Sequence, residues 1–271
     1  MNKLKNSPII LILVITLATI VTSIGIDASD TLSGSSATLL ARLIHDRDEA
    51  GCPTEMVAVD NTLTFGCVDK YEASAGLGCS FATIDSELDT LANIENPNCR
   101  SQSVAGLTPW RYVSRDQAQL LCTRSGKRLP SSSEWYQFAI GTSEVGCNTK
   151  SGNVDLTGRQ SECQSANGVY DAVGNLWEWT NDDVFAGELS GRVLPDSGYV
   201  TSVDSSGVAT ETSLKASDDY NNDYWWSDEA GNFGLIRGGY YGSGDDGGVY
   251  AIHADILPHY RGAALGFRCV I

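Results

Sequence analysis

Asp171-Ala172-Val173-Gly174-Asn175-Leu176-Trp177-Glu178-Trp179 is a short irregular segment that runs into an aromatic one. Trp177 and Trp179 alternate around Glu178, so an extended backbone puts both indoles on one face and the carboxylate on the other. The indoles read as core. Asp171, the carbonyls of Gly174 and Leu176, and the Glu178 carboxylate offer hard oxygen ligands within a few residues. Calcium accepts such a mixed set in flexible geometry. The alternative is a capped turn with a buried salt bridge.

Upstream, two helices are expected. Ser114-Arg115-Asp116-Gln117 is a capping-box pattern followed by Ala118, Leu121 and Cys122 at helical spacing, with Gly126 as the stop. Ser131-Ser132-Ser133-Glu134 is a second box, with Trp135, Phe138 and Ala139 on one face and Gly141 at the end. Gly126-Lys127-Arg128-Leu129-Pro130 is the extended connector between them. Met56–Val59 and Leu63–Phe65 read as two strands joined by a turn at Asp60-Asn61. Beyond the second helix, Gly, Asn, Asp and aromatics dominate without a helical period, which makes short antiparallel strands and long ordered loops. Two helices and a β-rich remainder give an α+β class.

The formal charge of −16 excludes nucleic acid and anionic membrane as expected partners, since both reward basic patches. Lys3 and Lys5 precede an uncharged run from Pro8 to Ile26, long enough to span a bilayer as a helix. Neither Ser23–Gly25 nor Asp27–Ser29 is a clear cleavage site, so an uncleaved signal anchor is preferred to a cleaved signal peptide. In either case the chain is membrane-anchored or secreted, with its domain outside the cytoplasm. The expected division is an anchor or signal at 1–27, a Ser/Thr/Gly-rich stalk at 28–51 and a domain at 52–271. Eight cysteines beyond an export segment read as a disulfide set, and none form C-x-x-C pairs. Cys52 with Cys67, Cys79 with Cys99 and Cys147 with Cys163 are the local pairings, which leaves Cys122 with Cys269.

Four separated segments belong together. They are Cys67-Val68-Asp69-Lys70-Tyr71-Glu72, Gly126–Pro130 with Glu134-Trp135, Asp171–Trp179, and Arg237-Gly238-Gly239 with Gly266-Phe267-Arg268-Cys269. In that order and spacing they resemble the formylglycine-generating (sulfatase-modifying factor) family, over roughly residues 55–271. The resemblance implies a C-type lectin-like fold, the Cys122–Cys269 disulfide, and calcium at Asp171, Gly174, Leu176 and Glu178. Asn153-Val154 resembles part of a second calcium site. Arg128, Arg237 and Arg268, few among many acids, read as bidentate structural pairs, and Gly238-Gly239 and Gly266 as points of special backbone angle or close approach.

Catalysis is where this chain departs from the family. Family enzymes hold copper with two cysteines shortly after R-G-G, and soft thiolate is what copper(I) needs. Those positions fall on Ser243 and Gly248, and no cysteine lies between Cys163 and Cys269. A three-histidine iron site, as in the sulfoxide-synthase relatives, is not expected from His45, His253 and His259 alone. The expectation is a non-catalytic domain without copper, an altered oxidoreductase being the alternative.

The segment from Arg237 to Cys269 instead has the Tyr, His, Asp and Ser among small residues that binding surfaces favour. It also resembles the variable region of diversity-generating retroelement proteins. Tyr240, Ser243, Asp246, His253, Asp255, Ile256 and Tyr260 are the positions that resemblance makes variable. Of these, Tyr240, Ser243, Asp246, His253, Asp255 and Tyr260 are the expected contacts for a protein or glycan ligand.

Overall fold

The computed structural model describes residues 51–59, 62 and 64–271. The anchor at 1–27, the stalk up to residue 50 and the turn at Asp60-Asn61 lie outside the described residues. Among the described residues no helix is long and apolar enough to cross a membrane.

Strand β1 (Met56–Ala58) pairs antiparallel with β2 (Cys67–Asp69), not with the expected strand at 63–65. Val68, fully buried, bridges Val270, and Cys67 is tied to Cys52, so packing and a disulfide set the register. A second small ladder joins β3 (Ser74–Ala75) to β4 (Ser101–Gln102).

Three helices are present among the described residues, one more than expected. The additional one, α1 (Glu87–Glu95), begins at Ser86, whose hydroxyl accepts from the Asp89 amide. Its buried positions are Thr90 and Asn93. Thr90 Oγ1 accepts from Trp110 Nε1 at 3.0 Å, and Asn93 bonds Phe81 through both ends of its amide. Leu88 and Leu91 are exposed and only Ile94 packs on the core, so the inward face is set by polar residues that hydrophobic periodicity does not mark. Helices α2 (Arg115–Arg124) and α3 (Ser132–Ala139) follow their capping boxes. They bury the expected faces, Ala118, Leu121 and Cys122 on one and Trp135, Phe138 and Ala139 on the other.

The main sheet is built from β5 (Trp177–Phe185), β6 (Glu188–Leu189), β7 (Arg192–Val193), β8 (Gly198–Val203), β9 (Ala209–Ser213), β10 (Tyr224–Ser227), β11 (Asn232–Arg237), β12 (Ile252–Ile256) and β13 (Leu265–Gly266). Its order is β7-β6-β5-β11-β12-β10-β8-β9, with β13 on β5. The pairs β10–β12 and β13–β5 are parallel, so the sheet is mixed where short antiparallel strands were expected. Trp177 and Trp179 lie in one apolar cluster with α2 residues, while Glu178 turns to the other side and accepts from Trp135 Nε1 of α3. The alternation read from the sequence therefore holds.

Both ends of the domain come together through Val68 with Val270, and Val270 also bridges Arg128 of the connector between α2 and α3. The four disulfides are Cys52–Cys67, Cys79–Cys99, Cys122–Cys269 and Cys147–Cys163. This is an α+β, C-type lectin-like arrangement.

Candidate binding cleft and the knit of the motifs

The four sequence motifs bond to one another inside the fold. Lys127 Nζ, buried, donates to Asp69 Oδ1 and Glu55 Oε1, each at 2.7 Å. Asp69 Oδ2 accepts from the Cys269 amide. Glu72 is fully enclosed and takes Asn175 Nδ2 and the Leu176 amide. Burial, with Asp171 and Glu178 nearby, pushes its pKa well above the ordinary carboxylate value. Arg128 grips Glu134 with two bonds of 2.7 Å, and Arg268 grips Glu178 with Nε and Nη2. Those two arginines are the bidentate pairs expected of them.

Arg237 departs from that expectation. Its guanidinium donates to Ser132 O and Oγ and to the carbonyls of Ser206, Gly207 and Val249, and lies 4.9 Å from the Trp135 ring. Burial lowers its pKa to about 10. Next to it, Gly238 has φ +95°, and a Cβ there would sit 2.3 Å from the Ala172 carbonyl. The close approach expected of Arg237-Gly238-Gly239 is real.

This bonding bears on the expected calcium ligands. Both oxygens of Glu178 accept from Arg268, and Oε2 also from Trp135. Asp171 Oδ2 accepts from the Gly158 amide, and burial raises the Asp171 pKa to about 6. With Glu178 so committed, the set Asp171, Gly174, Leu176 and Glu178 fits a capped turn over a buried ion pair rather than a calcium cage. At Asn153-Val154 the Asn153 carbonyl accepts from Asn148 Nδ2 and Ser151 Oγ, and Asn175 accepts from Asn148 on the same side. Among the described residues no group of three or more His, Cys, Asp or Glu is gathered for a metal.

The cleft lies elsewhere, on the segment after Gly239. Two adjoining cavities of about 350 and 230 Å3 share Trp177, Tyr240 and His253. Tyr260 and Tyr241 line the larger, and Ser243, Asp246 and Trp226 the smaller. Five of the six expected ligand contacts thus sit on one surface. Asp255 stands behind it, bonding His253 Nδ1 at 2.9 Å. Ser243 has a second duty, since its hydroxyl accepts the Tyr240 amide and closes the turn.

Sequence reasoning missed Trp226 as a member of the cleft, and Tyr224 as its support. Trp226 stacks on His253, with centroids 4.1 Å apart and planes at 11°, and Tyr224 packs on Trp226 at 4.6 Å. The aromatic run Tyr224-Trp225-Trp226 was the available signal: in β10 alternate residues face opposite ways, and only Trp225 is fully buried. Trp177, read as core, also forms the cleft wall. Asp246 is held above its ordinary pKa by partial burial and by Asp245. The two linings carry no lysine or arginine.

Among solved structures, the fold matches the Major Tropism Determinant P3c variant at 21% identity and TM-score 0.45, over 83% of this chain and 54% of that one. It also matches Treponema denticola variable protein 1 (12%, 0.42, 80% and 90%) and PvdO from Pseudomonas aeruginosa (17%, 0.43, 79% and 89%). The chain spans about half the length of the Major Tropism Determinant variants it matches. Residues 82–271 match the model of the sulfatase-modifying factor enzyme 1-like domain, and the chain therefore belongs to that family.

Proposed function

We propose that this is an extracytoplasmic ligand-binding member of the family, tethered by its N-terminal segment, and that it makes no formylglycine. The observation that carries the binding reading is the cleft between Trp177, Trp226, Tyr240 and His253, open to solvent and walled by preorganised aromatic faces. Aromatic faces give large contact area at low entropy cost, and one carboxylate without a neighbouring cation favours a neutral or basic ligand group. A glycan or a protein surface supplies either.

The non-catalytic reading is supported at residues 243 and 248. A hydroxyl and a glycine do not fit copper(I), which needs thiolates. A Cβ at Gly248 would lie 2.2 Å from Glu144 Oε1 and 2.3 Å from Asp223 Oδ1, so two carboxylates fill the space a cysteine side chain needs. The test of binding is tryptophan emission. Ligands selected on an oligosaccharide array or from a displayed peptide library should perturb it saturably, because Trp177 and Trp226 border the cleft. Selected ligands that leave the emission unchanged would place their binding elsewhere.

A further inference from the structure

Glu144 and Asp223 approach each other from different loops, and neither lines the aromatic cleft. Asp223 is fully buried; its Oδ2 accepts from the Tyr250 amide at 2.7 Å, and its Oδ1 has no hydrogen-bond partner. Glu144 Oε1 accepts from Asn221 Nδ2 at 2.8 Å. Glu144 Oε1 and Asp223 Oδ1 both lie within 2.3 Å of one point, the place a Cβ of Gly248 would occupy. The bare glycine is what lets two carboxylate oxygens face each other there.

Two carboxylates this close, one of them fully buried, need either a shared proton or a cation between them. Burial comes first in raising both, and Glu144 adds to the rise at Asp223. The surroundings favour the cation. Glu144 lines a cavity of about 510 Å3 together with Asp218, Asn221 and Asn222, so the Glu144 side of the pair is reached from solvent while Asp223 stays enclosed behind it. The one basic side chain of that lining, Lys150, pairs with Asp245 rather than with Glu144. An orphan buried carboxylate oxygen beside a second carboxylate is the start of a donor set for a hard ion, which completes its shell with further oxygens including water.

We propose that Glu144 and Asp223 bind a divalent cation of the calcium type above Gly248. Such an ion joins the loop around 144–150, the turn ending at Asp223 and the 240–248 loop that presents Ser243 and Asp246. Its presence does not depend on what the cleft binds.

The test uses the full chain, stripped with chelator and titrated with calcium alone and then with magnesium alone, read by thermal melting. Terbium luminescence, sensitised by the Tyr220–Tyr250 pair, reports occupancy directly. Calcium should raise the melting temperature and terbium should bind. Asp223→Asn and Glu144→Gln should each weaken both by at least tenfold, while Glu178→Gln keeps the calcium increment. If Asp223→Asn does not fold, Glu144→Gln, at a half-buried position, decides alone. An undiminished calcium increment in Glu144→Gln would overturn the assignment. So would a wild-type chain that binds neither calcium nor terbium and gains stability on mild acidification, the mark of a shared proton.

Discussion

Arg268 and Glu178 are both without solvent exposure and are joined by hydrogen bonds of 2.5–2.8 Å from Nε and Nη2. The pair links the segment before the last disulfide to the start of β5. Removing one partner of such a pair strands a charge, at a cost of about 3–5 kcal/mol. Glu178→Gln should therefore lower the unfolding free energy obtained from urea melts by that amount, equally with calcium and with chelator. A loss seen only with calcium present would make Glu178 a metal ligand instead.

The Cys122–Cys269 disulfide closes a loop with a sequence separation of 147. On the chain-entropy model its removal costs about 5 kcal/mol before strain is subtracted. A Cys122→Ser/Cys269→Ser double variant should melt far below wild type, and non-reducing peptide mapping should recover the linked pair. Either thiol found free would contradict the pairing.

Glu134 provides a pH signature. Burial alone would raise its pKa, but the hydrogen bonds from Arg128 and the Ser131 amide hold it at about 2. A depressed carboxylate contributes stability that is present above its unfolded value near 4.5 and is lost as pH falls toward 2. Glu134→Gln preserves the capping box and removes only the charge. Arg128 is 38% exposed, so solvent screening limits the loss to about 2 kcal/mol above pH 5. Wild type and variant should converge as the pH approaches 2, measured by urea melts across that range. A gap that stays constant would deny the ion pair its role.

What was legible followed from local chemistry. The capping boxes at Ser114 and Ser131 announced α2 and α3, and Trp177-Glu178-Trp179 announced a strand with opposed faces. Helix α1 was hidden because its buried positions, Thr90 and Asn93, are polar. The strand at 67–69 was misplaced because Val270, two hundred residues away, sets its register. Tyr240, His253, Asp246 and Tyr260 were readable as surface by composition. Trp226 joined them only through the parallel pairing of β10 with β12, a contact no local pattern encodes. The Glu144–Asp223 encounter over Gly248 is likewise wholly tertiary.

The chain should not convert a sulfatase cysteine peptide to formylglycine, with or without added copper. A single Gly248→Cys substitution should not restore activity, because Glu144 and Asp223 occupy the space and Ser243 offers no second thiolate. Mass spectrometry of the peptide decides it. Copper-dependent loss of the thiol with gain of an aldehyde would refute the non-catalytic reading.

The most direct measurement of the central claim compares folding and binding in single variants of the cleft. Tyr240→Ala, Asp246→Ala, His253→Ala and Tyr260→Ala are half-buried or exposed and lie away from caps and disulfides, so each should cost no more than about 1 kcal/mol. The affinity for a ligand selected on the wild-type chain should fall at least tenfold in Tyr240→Ala and His253→Ala, as Trp226→Ala should also show. Unchanged affinity across these variants, or loss of folding in all four alanine variants, would mean that the cleft is not the binding surface.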